Sequence, residues 1–143
     1  MPNPDAPDTT CAASPAAVTL TSLHADILAT KCLTGCHEAG GTAISYGDYS
    51  TVDSSETATV NKASLYAGSA ATLKVVDAET AKSTADRLAN SSMWLKVSTK
   101  KPLGFKGPKM ENTGAKMPND GTTLTDAELQ KIKDWICRGA PKT

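Results

Sequence analysis

The chain has 143 residues and a mass of 14.8 kDa, a length that fits a single domain. Its 15 Lys and Arg residues balance its 15 Asp and Glu residues, which argues against a nucleic-acid-binding protein, because such proteins neutralise phosphates with excess positive charge. Aromatic residues make up only 4% of the chain, so few large side chains can fill a core, and a buried prosthetic group would supply the missing volume.

The N-terminal part of the sequence differs in composition from the rest. Residues 1–17 are rich in Pro, Asp, Thr and Ala and have neither the basic nor the apolar region of a signal peptide. They predict a flexible leader, followed by one domain over residues 18–143. No stretch approaches the roughly 18 consecutive apolar residues of a membrane-spanning helix, so the sequence predicts no transmembrane segment.

Helical periodicity is clearest at the two ends of the predicted domain. Near the start, apolar residues recur on one helical face: Leu20, Leu23, Ile27 and Leu28. Weaker helical patterns follow at residues 55–67 and 79–98, and the Pro- and Gly-rich segment 100–119 predicts an irregular loop. The pattern favours an all-α fold with long irregular loops, although β structure is not excluded for residues 40–80.

The last predicted helix has a recognisable start and stop. Thr125 and Glu128 have the spacing of a capping box, in which each side chain satisfies a backbone N–H at the helix start. Leu129, Ile132 and Ile136 then recur at helical spacing, and Gly139 is typical of the residue that ends a helix. This helix therefore presents an apolar stripe to the first helix or to a prosthetic group.

A cluster of reactive side chains follows the first predicted helix. Cys32, Cys36 and His37 form a CxxxCH sequence, one residue longer than the CxxCH motif of covalent haem attachment. Two thiols close together can add to the two vinyl groups of a haem, and the adjacent imidazole then binds the iron. Gly35 can adopt backbone angles closed to other residues, so we expect it to absorb the extra residue.

Two other interpretations of this cluster remain open. In an exported protein Cys32 and Cys36 could form a disulfide, which would leave His37 without a chemical role. A zinc site would need a fourth ligand, for which the candidates are His24, Cys11, Cys137 or a carboxylate. We favour haem over a disulfide, and a disulfide over zinc.

The two ends of the domain together resemble the cytochrome c family. Residues 20–37 resemble its first helix and haem-binding turn, whereas Lys116-Met117-Pro118 and the last helix resemble its distal methionine loop and C-terminal helix. The resemblance implies an all-α, cytochrome c-like fold around one haem c, held by Cys32 and Cys36. It further implies that His37 and Met117 are the axial iron ligands. Residues 40–110 match only loosely.

Alternative iron ligands are present in the sequence. Met110 lies in the same predicted loop as Met117, but no Pro follows it. His24 ranks third, because it precedes Cys32 by eight residues on the first helix. A methionine thioether favours ferrous iron and therefore raises the reduction potential.

The cytochrome c signature does not use Cys11 and Cys137. In an oxidising compartment, a disulfide between them is the simplest interpretation. The alternative is a buried, free Cys137 and a reactive or anchoring Cys11. Because haem attachment of this type takes place outside the cytoplasm, the resemblance implies a periplasmic or otherwise exported bacterial protein whose precursor carried a signal peptide.

The function implied by the resemblance is transfer of single electrons between redox proteins, without catalysis of bond formation. The sequence has no GxSxG, HExxH, P-loop or Rossmann pattern. Five lysines flank the proposed ligand, and they form either a solvated loop or a docking patch for an acidic partner: Lys100, Lys101, Lys106, Lys109 and Lys116. The alternative functions are a haem-based sensor of small ligands and a haem-free, disulfide-stapled interaction domain.

Overall fold

A computed structural model describes residues 7–65, 73–98, 116–118 and 120–143 of the chain. In these ranges the regular structure is helical, with isolated β-bridges and no strand, as an all-α prediction requires. The elements are α1 (Leu20–Leu23), a π-helix (His24–Cys32), a 3₁₀ turn (Ile44–Tyr46), α2 (Val52–Thr59), α3 (Thr84–Ala89), α4 (Ser92–Ser98) and α5 (Asp126–Cys137). Each of these helices is too short or too polar to cross a membrane.

The first helix begins at a capping box and changes its winding after one turn. The Thr19 side chain accepts a hydrogen bond from the Ser22 N–H, and the Ser22 hydroxyl accepts one from the Thr19 N–H. From His24 to Cys32 the chain continues as a π-helix, a rare winding that is often found at functional sites. The four predicted apolar residues of this helix are all buried.

Helix α5 forms the centre of the core. The predicted capping box is present, since Thr125 accepts from the Glu128 N–H and Glu128 accepts from the Thr125 N–H. Ile132, Trp135 and Ile136 are buried, and α5 packs against α1, α3 and α4. Burial of each such side chain contributes about 1.5–3 kcal/mol, so this face accounts for much of the core's stability.

The middle of the chain is less regular than its helical pattern predicts. The segment predicted as helical over residues 55–67 leaves the helix at Val60, which is extended and forms a bridge with Val76. The segment predicted as helical over residues 79–98 is divided into α3 and α4. The division falls at Ser91, because this residue forms a bridge with Lys74.

The N-terminal segment is tied to α4 and α5. Cys11 and Cys137 form a disulfide, with their Cα atoms 5.9 Å apart, as the sequence predicts. The Trp94 indole N–H donates to the Asp8 carbonyl oxygen at 2.8 Å, and the Lys133 ammonium contacts the Asp8 carboxylate at 2.6 Å. Closing so long a loop stabilises the folded state by about 4–5 kcal/mol in a chain-entropy model.

Candidate cofactor site

The cysteine cluster lies in a turn at the end of the π-helix. The His37 N–H donates to the Leu33 carbonyl at 3.0 Å and to the Cys32 carbonyl at 3.3 Å, so the helical winding continues past the second cysteine. Gly35 has φ +72°, in the left-handed region that other residues rarely enter. The turn between the two cysteines therefore uses a backbone conformation that glycine adopts readily.

The loop after His37 folds back onto this turn. The Ala43 N–H donates to the Cys36 carbonyl at 3.0 Å, and the Thr42 N–H donates to the Gly35 carbonyl at 3.1 Å. This approach requires glycine at position 41, because a Cβ atom there would lie 2.2 Å from the Cys36 carbonyl oxygen. Glycine at position 41 therefore allows the loop to pack on the cysteine turn, a role that the sequence alone does not reveal.

His37 is buried and held in one orientation. Its Nδ1 lies 2.8 Å from the Gly47 carbonyl oxygen, which can only accept, so Nδ1 donates and Nε2 retains its lone pair. Burial lowers the pKa of His37, and the hydrogen bond to Gly47 opposes this effect without reversing it. The imidazole is therefore neutral at physiological pH, which is the form that binds a metal.

A second layer of contacts supports His37. The ring of Tyr49 stacks on the imidazole, with ring centroids 4.2 Å apart and an interplanar angle of 13°. The Tyr49 carbonyl accepts a hydrogen bond from His24 Nε2 at 2.8 Å. His24 therefore supports Tyr49, which contacts His37. A cavity lies beside His37, and His24 is not among the residues that line it.

Both cysteines of the cluster are free thiols. Cys32 and Cys36 are partly buried and form no disulfide with each other. Burial, reinforced by the carboxylate of Asp120 and the neighbouring Cys36, raises the pKa of Cys32 to about 12. Because a nucleophilic cysteine needs a readily formed thiolate, this environment does not favour a nucleophilic role for Cys32.

The candidate site residues meet in one cavity of about 390 Å³. Its walls include Cys32, Cys36, His37 and Met117, so residues more than 80 positions apart in the sequence are brought together. The Met117 N–H donates to the Lys96 carbonyl at 3.2 Å, which attaches the methionine to α4. The volume is within the range of about 300–1,000 Å³ that is typical of small-molecule and cofactor sites.

The cavity is mostly apolar, including at its mouth. Among the described residues, the large hydrophobic side chains that are exposed all line it: Ile44, Tyr46 and Leu65. Leu65 is the most exposed of the three, with 68% of its surface accessible. Met93 on α4 also lines the cavity, and it was not recognised from the sequence because a single methionine is usually core filler.

Three cationic residues are also present in the walls, Lys31, Lys62 and Lys96, together with one acidic residue, Asp120. Lys96 is only 4% exposed, and this burial lowers its pKa to about 8. The walls therefore carry charges of both signs beside their apolar side chains.

Comparison with protein-family models, curated proteins and solved structures finds no match to the chain.

Met110 and four of the five predicted docking lysines lie outside the described residues, namely Lys100, Lys101, Lys106 and Lys109. Within the described part of the chain, no three His, Cys, Asp or Glu side chains are grouped to hold a metal ion. The zinc alternative therefore has no ligand set among these residues.

Proposed function

We propose that this protein is a monohaem c-type cytochrome that transfers single electrons between redox proteins. The observation that carries the proposal is the convergence of Cys32, Cys36, His37 and Met117 on one apolar cavity. These residues were selected from the sequence alone, and the distance along the chain between His37 and Met117 makes their meeting in one cavity informative.

The chemistry of the residues fits a covalently attached haem. Two free thiols at the cavity wall would form the covalent links to the two vinyl groups, and the available Nε2 of His37 would bind the iron. The thioether of Met117 would provide a second iron ligand, and the ammonium group of Lys62 would complement the carboxylates that a haem carries. The exposed apolar side chains at the mouth suit its large flat surface.

When bound, the haem supplies an Fe(III)/Fe(II) couple that accepts and releases one electron. The protein's contribution is to hold and surround it. Hydrogen bonding to Gly47 and stacking on Tyr49 fix the imidazole of His37, so its Nε2 would keep the same position in both oxidation states of a bound haem. The apolar walls would exclude water and disfavour the ferric state of a bound haem, which carries the higher charge. Together with the thioether of Met117, they would raise its reduction potential.

The attachment is tested by producing the protein with a cytochrome c maturation system and replacing cysteines in pairs. Wild-type protein is expected to gain the mass of one haem, and Cys32→Ala/Cys36→Ala protein is expected to gain none. The matched control is Cys11→Ser/Cys137→Ser, which also removes two cysteines and is expected to keep the haem. Haem retained by the first variant, or lost only from the second, contradicts the proposal.

The same preparations distinguish the alternative functions. A ferrous protein that is high-spin and binds carbon monoxide readily would indicate a sensor of small ligands. Protein that takes up no haem, with Cys32 and Cys36 oxidised, would indicate a disulfide-stapled interaction domain. Electron transfer requires a low-spin haem that a protein partner reduces and reoxidises.

A further inference from the structure

The N-terminal segment contacts the helix that supports Met117. We define residues 8–11 as the strap. It is attached to α5 by the disulfide between Cys11 and Cys137, and to α4 by the hydrogen bond from the Trp94 indole N–H to the Asp8 carbonyl at 2.8 Å. Lys133 on α5 contacts the carboxylate of the same aspartate at 2.6 Å. The strap therefore joins α4 to α5 on the side that Trp94 occupies.

The other side of α4 faces the cavity. Met93, Lys96 and Val97 line the cavity, whereas Trp94 does not. The Lys96 carbonyl accepts the hydrogen bond of the Met117 N–H, and this bond attaches the methionine to the helix. A displacement of α4 relative to α5 would therefore move the backbone of Met117 relative to His37, which lies at the end of a different helix.

We propose that the strap is a positioning element for Met117, acting through Trp94 and α4, so that opening the Cys11–Cys137 disulfide weakens the distal ligand. The proposal rests on the proposed function, because it takes Met117 as an iron ligand. Opening requires a dithiol reductant: its two thiols become a disulfide, and the Cys11–Cys137 disulfide takes up two electrons and two protons to become two thiols. Because coordination of the iron by Met117 depends on the Cys11–Cys137 disulfide in this proposal, that coordination becomes sensitive to thiol redox conditions.

This role predicts an effect that a simple loss of stability does not produce. In a folded protein, the Met117 N–H exchanges with solvent when its bond to Lys96 opens, so its exchange rate reports the contact between Met117 and α4. The coordination of the iron reports the position of the thioether. A strap that only stabilises the fold would change neither of them under conditions where the protein remains folded.

The experiment compares three variants with wild-type protein by hydrogen exchange and carbon monoxide binding. Cys11→Ser/Cys137→Ser removes the disulfide, and Trp94→Phe keeps an aromatic side chain but removes the indole N–H and its bond to Asp8. Thr51→Ala is the matched control for Trp94→Phe, because it also removes one hydrogen bond, the N-cap bond of α2. Thr51 belongs neither to the strap nor to the cavity. Circular dichroism verifies that each variant is folded under the conditions used.

Trp94→Phe is expected to increase the exchange rate of the Met117 N–H by about fivefold, the factor that the loss of one hydrogen bond corresponds to, and the double cysteine variant is expected to increase it at least as much. They are also expected to increase the fraction of ferrous haem that binds carbon monoxide. Trp94→Phe keeps the test decisive if the double variant does not fold. The inference is overturned if Thr51→Ala has the same effects, or if the strap variants leave both readouts unchanged.

The exchange measurement does not need the haem, so the two proposals fail separately. Protein without covalent haem in which the strap variants still accelerate exchange at Met117 would overturn the function and retain the positioning role. Covalent haem with unchanged exchange and coordination would retain the function and overturn the positioning role.

Discussion

The ring of Tyr49 stacks on the imidazole of His37, with ring centroids 4.2 Å apart and planes inclined by 13°. The same imidazole is bound through Nδ1 to the Gly47 carbonyl, so two contacts fix both its position and its rotation. Supporting contacts of this kind set the basicity and orientation of a metal-binding histidine. The two contacts of His37 are contributed by residues 47–49, which follow the CxxxCH sequence and precede α2.

Removing the stacked ring is expected to loosen His37. Replacing Tyr49 by Ala should lower the free energy of unfolding by about 3 kcal/mol, because a buried aromatic ring is lost. In protein that carries haem, Tyr49→Ala should also broaden the visible absorption bands, because the orientation of His37 would vary. Tyr49→Phe is the control, since it keeps the stack, and urea unfolding together with the visible spectrum checks both expectations. A Tyr49→Phe variant as perturbed as Tyr49→Ala would show that the hydroxyl, not the ring, is important.

Two adjacent glycines are expected to differ in their tolerance of a side chain. Gly41→Ala should be destabilised by about 2–3 kcal/mol and should attach haem poorly, because the new Cβ would overlap the Cys36 carbonyl. Gly40 has φ +81° and no heavy atom within 4 Å of a Cβ, so Gly40→Ala should cost only about 1 kcal/mol of backbone strain. Thermal unfolding and haem content compare the two variants. Equal effects would contradict the close approach at Gly41.

The distal ligand is expected to be Met117. Met117→Ala should convert the ferrous haem to a high-spin form that binds carbon monoxide, and should lower the reduction potential by a fraction of the roughly 0.8 V that axial ligands span. Met93→Leu preserves an apolar side chain in the same cavity and is expected to leave the ligation intact. Met110→Ala completes the set. The assignment is wrong if only the Met93 or the Met110 change alters the iron's coordination.

Acid stability is expected to depend on Asp77. Burial by itself raises the pKa of this carboxyl, but bonds from Lys82, the Glu79 N–H and Asn90 outweigh burial and lower it. A lowered carboxyl pKa contributes stability that is present above the unfolded value near 3.8 and is lost as the pH falls through the folded value.

Asp77→Asn should therefore destabilise the protein by about 2 kcal/mol at pH 7, since a buried ion pair with Lys82 is broken. The difference from wild type should shrink as the pH falls below about 3.8, because proton uptake by the unfolded chain then offsets the stability that the ionised carboxylate gives the folded protein. Asp53→Asn changes an exposed carboxylate and is expected to have little effect at any pH. Urea unfolding between pH 3 and pH 7 checks these expectations, and a difference between Asp77→Asn and wild type that is constant over this range would contradict them.

The two terminal helices were predictable because their signals are local. The capping residues Thr125 and Glu128 and the apolar spacing from Leu20 to Leu28 depend on neighbours within one or two turns of helix, and the structure confirms both. The disulfide between Cys11 and Cys137 could be expected from cysteine count and an oxidising environment, and it is present. The π-winding before Cys32 could not, because its apolar residues fit an α-helix equally well.

The parts that the sequence did not reveal depend on contacts between distant segments. Ser91 divides α3 from α4 because it pairs with Lys74, and no local pattern at either residue signals this bridge. The cavity's selected residues were found from motifs, whereas Met93 and Tyr49 were missed, since an isolated methionine or tyrosine has no motif. Their roles follow only from their position beside His37 and Met117 in the fold.

The most direct test of the central claim is the visible spectrum of wild-type protein exported through a cytochrome c maturation system, oxidised and reduced, before and after acid–acetone extraction. We expect a low-spin haem in both oxidation states, retained by the polypeptide after extraction and titrating as a single one-electron couple. Protein without visible absorbance, or haem removed completely by the extraction, would contradict covalent attachment at Cys32 and Cys36.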